Sequence, residues 1–453
     1  MKKLIHWNQL VAIILLVTFS AFMAGCEKSI FEDYSEEGGT QSGRARHTRG
    51  AVATDWYNLQ LKMIITANPP INPILLNRAW GYIGIGLYES VMPGIENSIS
   101  LSKKLYQMPA MPKKENNNGY SWEVSANVAL ARLITFFYPA AVVSANQQRI
   151  DSLEAAYNDS LRPAVKSAVF LRSQAFGDAI ADAIIAWSQT DNSNLGNAGY
   201  VPPVFPGAWK PTPPAFANGL CPYFGNTRPF LVQNLQGISP SFPHEYSEDP
   251  GSDFYKMEKA MYDLSKSLTQ EQKNIALYWN DVGVGVGYSP PGHSISILTQ
   301  ILKQKSTDLG KTAIAYAKTG IALNDASIVG FRSKYTYNLL RPVTYINKVI
   351  DPTWTPLIIT PPHPEYPAAH AFVTQAFMQT MTGIFGENFS FTDNTYGSKY
   401  GGPRTFSSFN AAAEESGMSR NYGGIHYLPS IDAGLQLGKQ IGQGLNNLEL
   451  VQE

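Results

Sequence analysis

Residues 200–230, "YVPPVFPGAWKPTPPAFANGLCPYFGNTRPF", carry eight prolines. Proline has no backbone N–H and a fixed φ, so neither a continuous helix nor a central strand runs through this stretch. Its aromatic residues, Phe205, Trp209, Phe216, Tyr223 and Phe224, are too many for a disordered linker, and the stretch reads as an ordered crossover between two halves.

On both sides of the crossover the periodicity is helical. From Trp56 to about Thr190, "LLNRAWGYIGIGLYESV", "SWEVSANVALARLITFFYPAAV" and "RSQAFGDAIADAIIAWSQ" place apolar residues at three- and four-residue spacing. Beyond it come "DFYKMEKAMYDLSKSL", "TQEQKNIALYWNDVG", "HSISILTQILKQK", the long "LGKTAIAYAKTGIALNDASIVGFRSKYTYNLL", "AAHAFVTQAFMQTMTGIFG" and "IDAGLQLGKQIGQGLNNL". Alternating strand runs are scarce and no fixed-period repeat is visible, so the fold class is all-α with a bundle-like C-terminal half. With 453 residues, the chain divides into an N-terminal helical region with the crossover (51–235) and a C-terminal helical bundle (236–453).

The first 25 residues read as an export signal: Lys2 and Lys3, the apolar run "LVAIILLVTFSAFMAG", and then Cys26. Ala24-Gly25 before Cys26 resembles a bacterial lipoprotein cleavage box, with Met23 where Leu is usual, and predicts a lipid on Cys26; an ordinary cleaved signal peptide is the other reading. Residues 26–50 are polar and predict a flexible tether, placing an exported domain on the cell envelope, at the outer membrane in a Gram-negative cell. Lipidation of Cys26 leaves only Cys221, so no intramolecular disulfide is expected. Lys plus Arg equals Asp plus Glu at 35 each, which argues against a nucleic-acid partner and requires any anion site to be a local cluster of cations.

Three stretches offer such a cluster. Lys334 and Arg341 lie seven residues apart in a helix expected to end at Leu340, since Pro342 disfavours α geometry before it. At about 100° per residue the two cations return to within about 20° of one helix face. In "TPPHPEYPAAHAF" the prolines hold the chain extended, and His370 opens an apolar helix whose first N–H groups are free to meet an anion. In "SGMSRNYGGIHYLPSIDAG", Arg420 and His426 flank paired glycines that permit close approach. Each alone has a plainer reading: a solvated basic stripe, a helix cap, a tight turn. Together they assemble cations, imidazoles and small residues without a cysteine pair or carboxylate cluster, which suits a tetrahedral oxyanion better than a zinc or magnesium ion.

The blocks "KYTYNLLRP" (334–342), "PAAH" (367–370) and "SRNYGGIH" (419–426) resemble the tripartite signature of the vanadium-dependent haloperoxidase and type 2 phosphatidic acid phosphatase superfamily. The resemblance covers most of the mature chain, most strongly from about 275 to 440, and leans toward the haloperoxidases through "YWNDVGVGVGYSPPGHSI" and the opening helix "NRAWGYIGIGLYESV". It implies a helical-bundle fold with vanadate as cofactor, phosphate being able to occupy the same site. His426 is implied to bond vanadium, or to become phosphorylated in a phosphatase, and His370 to be the acid/base. Lys334, Arg341 and Arg420 are implied to hold the oxyanion with the Ala369 N–H, Lys334 also polarising the bound oxidant. Asp281 matches a carboxylate that orients His370 or Arg420. His363 falls where chloroperoxidases carry Phe and algal bromoperoxidases His, and Phe331 where Trp is common; both are implied to line the halide site, with bromide or iodide favoured.

Two positions depart from the pattern. Ala368-Ala369 replaces Ser-Gly and removes a hydroxyl hydrogen bond worth about 0.5–1.5 kcal/mol. Ser430 stands where phosphatases and some peroxidases place an aspartate four residues after the last histidine, with Asp432 two further on. His293, in "SPPGHS", precedes Lys334 and is read as structural. The expected partners are hydrogen peroxide and halide, or a phosphate ester if the pocket serves a phosphatase. A noncatalytic surface lipoprotein that keeps the scaffold is the third reading, and a homodimer is left open.

Overall fold

A computed structural model describes residues 49–452 apart from 117, 198, 237–240 and 283–284. The signal segment, Cys26 and nearly all of the tether lie outside the described residues. Thirteen α-helices are found among the described residues, with one antiparallel pair of three-residue strands, β1 (Phe391–Asp393) and β2 (Arg404–Phe406), too short to leave an alternating pattern in the sequence.

The N-terminal helices are α1 (Ala51–Ile65), α2 (Pro73–Val91), α3 (Trp122–Phe137), α4 (Ala140–Leu161) and α5 (Ser167–Ser188). Local chemistry sets the start of α2: Asn72 accepts the Ile74 N–H, and Pro73 in the first turn has no N–H to leave unpaired. The C-terminal set is α6 (Asp253–Ser267), α7 (Gln270–Tyr278), α8 (Pro290–Gln304), α9 (Leu309–Tyr337), α10 (Pro342–Val349), α11 (Ala369–Phe385), α12 (Phe409–Tyr422) and α13 (Leu428–Asn446). Among these described helices none is long and apolar enough to cross a membrane.

The long α9 ties the halves together. It packs along α2 so closely that a Cβ at Gly320 would lie 2.4 Å from the Trp80 carbonyl oxygen, so only glycine fits there. One hydrophobic core runs from Val52 to Leu450 through both regions. The proline-rich crossover straps the C-terminal end of α9: Arg332 donates to the Gly225 carbonyl at 2.7 Å, and the buried Asp325 carboxylate accepts the Phe230 and Leu231 N–H groups at 2.8 and 2.9 Å. Further on, the Leu220 N–H reaches the Pro362 carbonyl at 2.7 Å, so the crossover also braces the loop before α11.

The helix carrying Lys334 ends at Tyr337, three residues before the expected Leu340. Asn338 takes a left-handed conformation (φ 46°) and closes the helix with its N–H on the Lys334 carbonyl at 2.8 Å. Arg341 therefore sits not on α9 but at the start of α10, and the single-face expectation for Lys334 and Arg341 is corrected. The two cations meet because the chain turns, not because seven residues complete two helical turns.

Candidate active site

Lys334 is fully buried, and its Nζ donates to the carbonyls of Pro364, Glu365 and Pro367 at 2.9, 2.9 and 2.5 Å. Burial, then the neighbouring Arg341, pulls its pKa well below the usual lysine range, with Glu365 pushing back. Three acceptors nevertheless need three N–H donors, and only the ammonium has them, so the charge is retained. The proline-rich loop of residues 361–368 is thus pinned to the end of α9 by its own carbonyls.

His426 is reached through the paired glycines. After α12, Gly424 takes a positive φ of 77° and reverses the chain, and the Ile425 N–H returns to the Arg420 carbonyl at 3.1 Å. The His426 Nε2 lies 3.1 Å from Arg341 NH1, and Nδ1 lies 2.9 Å from Glu365 Oε1. A guanidinium can only donate, so Nε2 is the unprotonated nitrogen and Nδ1–H donates to Glu365. Burial, then Arg341 and Lys334, pulls the His426 pKa well below the usual histidine range and keeps the ring neutral.

Glu365 is the residue that sequence reasoning missed. Besides the His426 Nδ1–H, its Oε1 accepts the Tyr427 N–H at 3.0 Å, and its Oε2 accepts the Ser430 hydroxyl. Burial pushes its pKa up to about 7 against Ser430, Arg341 and Lys334, which pull it down. It supplies the carboxylate expected near position 430, and Ser430 holds that carboxylate in place. The available signal was a single glutamate in "HPEYPAAH", a stretch otherwise of prolines, histidines and apolar residues.

Arg341 is fully buried and spends its other four hydrogens on the carbonyls of His363 and Ile425, both at 2.9 Å, on His363 Nδ1 at 3.0 Å and on the Pro361 carbonyl at 3.4 Å. His363 Nδ1 also lies 3.2 Å from the Pro364 carbonyl oxygen, but the shorter contact with the guanidinium, which can only donate, places the His363 proton on Nε2. Its ring lies 5.4 Å from that of Phe331, so these two residues are neighbours beside the cation cluster. Burial, then Lys334 and Arg341, holds the His363 pKa well below the usual histidine range.

Ala369 is the first residue of α11, and its N-cap, Ala368, offers no side-chain hydrogen bond. The Ala368 methyl is buried against Ala371 and Ile431, a small apolar cluster where the relatives' pattern has a hydroxyl. His370 follows; its Nε2 is buried with no hydrogen-bond partner, 3.9 Å from Asp281 Oδ2, which is likewise buried and unpartnered. Burial, then Arg420, drives the His370 pKa well below the usual histidine range. Arg420 donates Nε to Ser419 Oγ at 2.9 Å and NH2 to the Ala276 carbonyl at 3.2 Å; burial lowers its pKa to about 10, leaving it a cation at neutral pH.

The residues from the three sequence blocks therefore sit around buried, linked positions, with Asp281 behind His370 and Glu365 behind His426. A groove of about 940 Å³ lined by Asp55, Lys62, Arg149 and Lys303 lies elsewhere and contains none of them.

A family model described as the VCPO second helical-bundle domain matches residues 315–451, the part holding all three blocks. The structure of the first bacterial vanadium-dependent iodoperoxidase is similar at TM-score 0.80 and 31% identity, covering 92% of this chain and 99% of that one. Holo and apo forms of a bacterial vanadium-dependent chloroperoxidase share the fold at TM-scores 0.62 and 0.60 and 16% and 15% identity. Those matches cover 83% of this chain and 92% and 93% of theirs. No curated protein matches the chain.

Proposed function

The chain belongs to the vanadium-dependent haloperoxidases, and on that premise we propose that it uses hydrogen peroxide to oxidise iodide or bromide at the His426 site. The observation that carries the reading is the His426 tautomer: Nε2 presents its lone pair to the cation cluster, while Nδ1–H is anchored on Glu365. An imidazole that ligates or attacks needs that arrangement.

The residues present suit vanadate. Lys334, Arg341 and Arg420 are three buried cations set against two carboxylates, Asp281 acting on Arg420 and Glu365 on the other two, and His370 Nε2 is buried and unpartnered. Vanadate bound there supplies the electrophilic centre that activates hydrogen peroxide toward halide. Arg420 would hold its oxygens, Arg341 would join it by releasing His426 Nε2, and Lys334 by giving up one of its carbonyl partners. The Ala369 N–H, at the start of α11, adds a neutral donor. His370 Nε2, unprotonated and without a partner, would accept and return a proton beside the bound anion. His363 and Phe331 wall the side proposed to receive halide, and the neutral His363 ring, larger in polarity than Phe, favours iodide or bromide. The reading also includes export and a lipid on Cys26, tested by membrane release of the C26A protein.

The deciding experiment measures triiodide formation from iodide, peroxide and vanadate beside p-nitrophenyl phosphate hydrolysis, for the unaltered protein and H426A. Vanadate-dependent iodide oxidation that H426A abolishes is the expected result. Ester hydrolysis alone, abolished by H426A, would make the chain a phosphatase, and neither activity would leave a noncatalytic scaffold.

A further inference from the structure

Behind His370 lies a buried histidine that the proposed reaction does not use. His293, in the first turn of α8, is completely buried, with Nδ1 2.8 Å from Asp281 Oδ1 and Nε2 2.7 Å from Asp393 Oδ2. Two carboxylate acceptors require two N–H donors, and only the imidazolium has both. Burial opposes that charge, but the two carboxylates outweigh it and push the His293 pKa up to about 10.

Asp281 is held by the same contacts. Its Oδ1 accepts from His293 and from the Tyr396 hydroxyl, which leaves Oδ2 unpartnered and facing His370 Nε2. The residue also keeps a left-handed backbone (φ 59°), with the Ser289 N–H on its carbonyl at 2.9 Å. His370 is otherwise faced by the cations Arg420 and Lys334, by His293, and by a hydrogen-bonding backbone group of Trp279. Around His293 stand Asp281, Asp393, the Tyr278 and Tyr396 rings, and the Trp279 ring stacked at 4.6 Å.

We propose that His293 is a positioning residue: bridged between Asp393 and Asp281, it fixes Asp281 Oδ1 so that Oδ2 receives the N–H of His370 once His370 takes up a proton. The inference rests on the reading of His370 as the proton-transfer group. His370 Nε2 accepts the proton and holds it against Oδ2, while His293 keeps both of its own. Two carboxylates and one imidazolium leave one net negative charge behind a histidine that cations would otherwise keep unprotonated.

The test reads the side-chain 15N–1H spectra of selectively labelled histidines in the vanadate-free full chain, with His370 assigned from H370Q. His293 should show two N–H protons through neutral pH. D393N removes the outer negative charge and should move the His370 titration midpoint down by about one pH unit, and D393E should restore it. Y396F removes a hydrogen bond that disperses the Asp281 charge and should move the midpoint up. A single N–H on His293 at pH 7, or both variants shifting His370 in the same direction or not at all, overturns the proposal. Should D393N not fold, the proton count and Y396F decide. Because vanadate is absent, the expected shifts in a protein without halide oxidation would uphold His293 and sink the peroxidase reading, and the reverse combination would do the opposite.

Discussion

Replacing Glu365 separates its two contributions, charge and tether. The carboxylate accepts three hydrogens, from His426 Nδ1, the Tyr427 N–H and the Ser430 hydroxyl, all in the buried interior. In E365A these three donors lose their acceptor, at about 1–3 kcal/mol for each polar group left buried and unpaired. The sum, on the order of 3–9 kcal/mol, is a large share of a stability of about 5–15 kcal/mol. E365Q keeps an acceptor for His426 and Tyr427, and the Ser430 hydroxyl can rotate to accept from the new amide, so folding should change by less than about 1 kcal/mol. Its effect falls on binding: removing the carboxylate behind a ligating imidazole typically costs about 10- to 100-fold in metal affinity. With the tether retained, E365Q should lie near the tenfold end and E365A near or beyond the other. Urea unfolding and calorimetric titration with orthovanadate measure the two effects on the same samples. Wild-type vanadate affinity in E365Q together with an E365A midpoint within 1 kcal/mol of wild type would refute the role given to Glu365.

Restoring the hydroxyl with A368S should raise vanadate affinity about two- to tenfold, the worth of one hydrogen bond. It should cost about 1–2 kcal/mol of ligand-free stability, because the new group enters the apolar cluster of Ala371 and Ile431; calorimetry and thermal melts check both signs. K334M strips the donor from three buried carbonyls and should destabilise by about 3–5 kcal/mol in urea, well beyond a surface lysine. Sulfate, a tetrahedral dianion that does not titrate near neutrality, should bind with proton uptake. His370 has a depressed pKa in the free protein, a bound dianion raises it, and affinity should therefore be greatest at low pH and fall, by at most about tenfold per pH unit per imidazole, as pH rises between the two values. Titrations in buffers of different ionisation heat measure the uptake, and its absence counts against an anion facing His370.

The helices were legible because apolar spacing survives in any buried helix, and the three site blocks because cations and imidazoles are conspicuous in a chain with few histidines. Geometry between elements was less legible. A shared face for Lys334 and Arg341 requires an unbroken helix, whereas Asn338 accepts the left-handed conformation that ends it, a tolerance its short polar side chain permits. Glu365 has no periodicity to betray it; its importance follows from its backbone N–H on the Leu339 carbonyl at 2.9 Å, which turns the loop toward His426, a contact with no trace in spacing. His293 looked like a misplaced fragment of the catalytic block, and only the two flanking carboxylates, one of them from β1, reveal its charge.

These contacts make the segment from Pro361 to His370 one device rather than a set of ligands. Its carbonyls saturate Lys334, its glutamate fixes the tautomer of His426, and its end presents His370 at the start of α11. Four prolines at positions 361, 362, 364 and 367 restrict φ along it, so the spacing among the three groups is set before any ligand arrives. Preorganisation of this kind favours an oxyanion because the protein need not order the groups on binding. It also creates a competition. Lys334 reaches an anion only by releasing a carbonyl, so its contribution to affinity is the difference between two strong hydrogen bonds, whereas its contribution to stability is nearly whole. Arg420, tied by two contacts and close to neither carboxylate oxygen by hydrogen bond, has less to give up and is the cation whose charge the bound anion gains most directly.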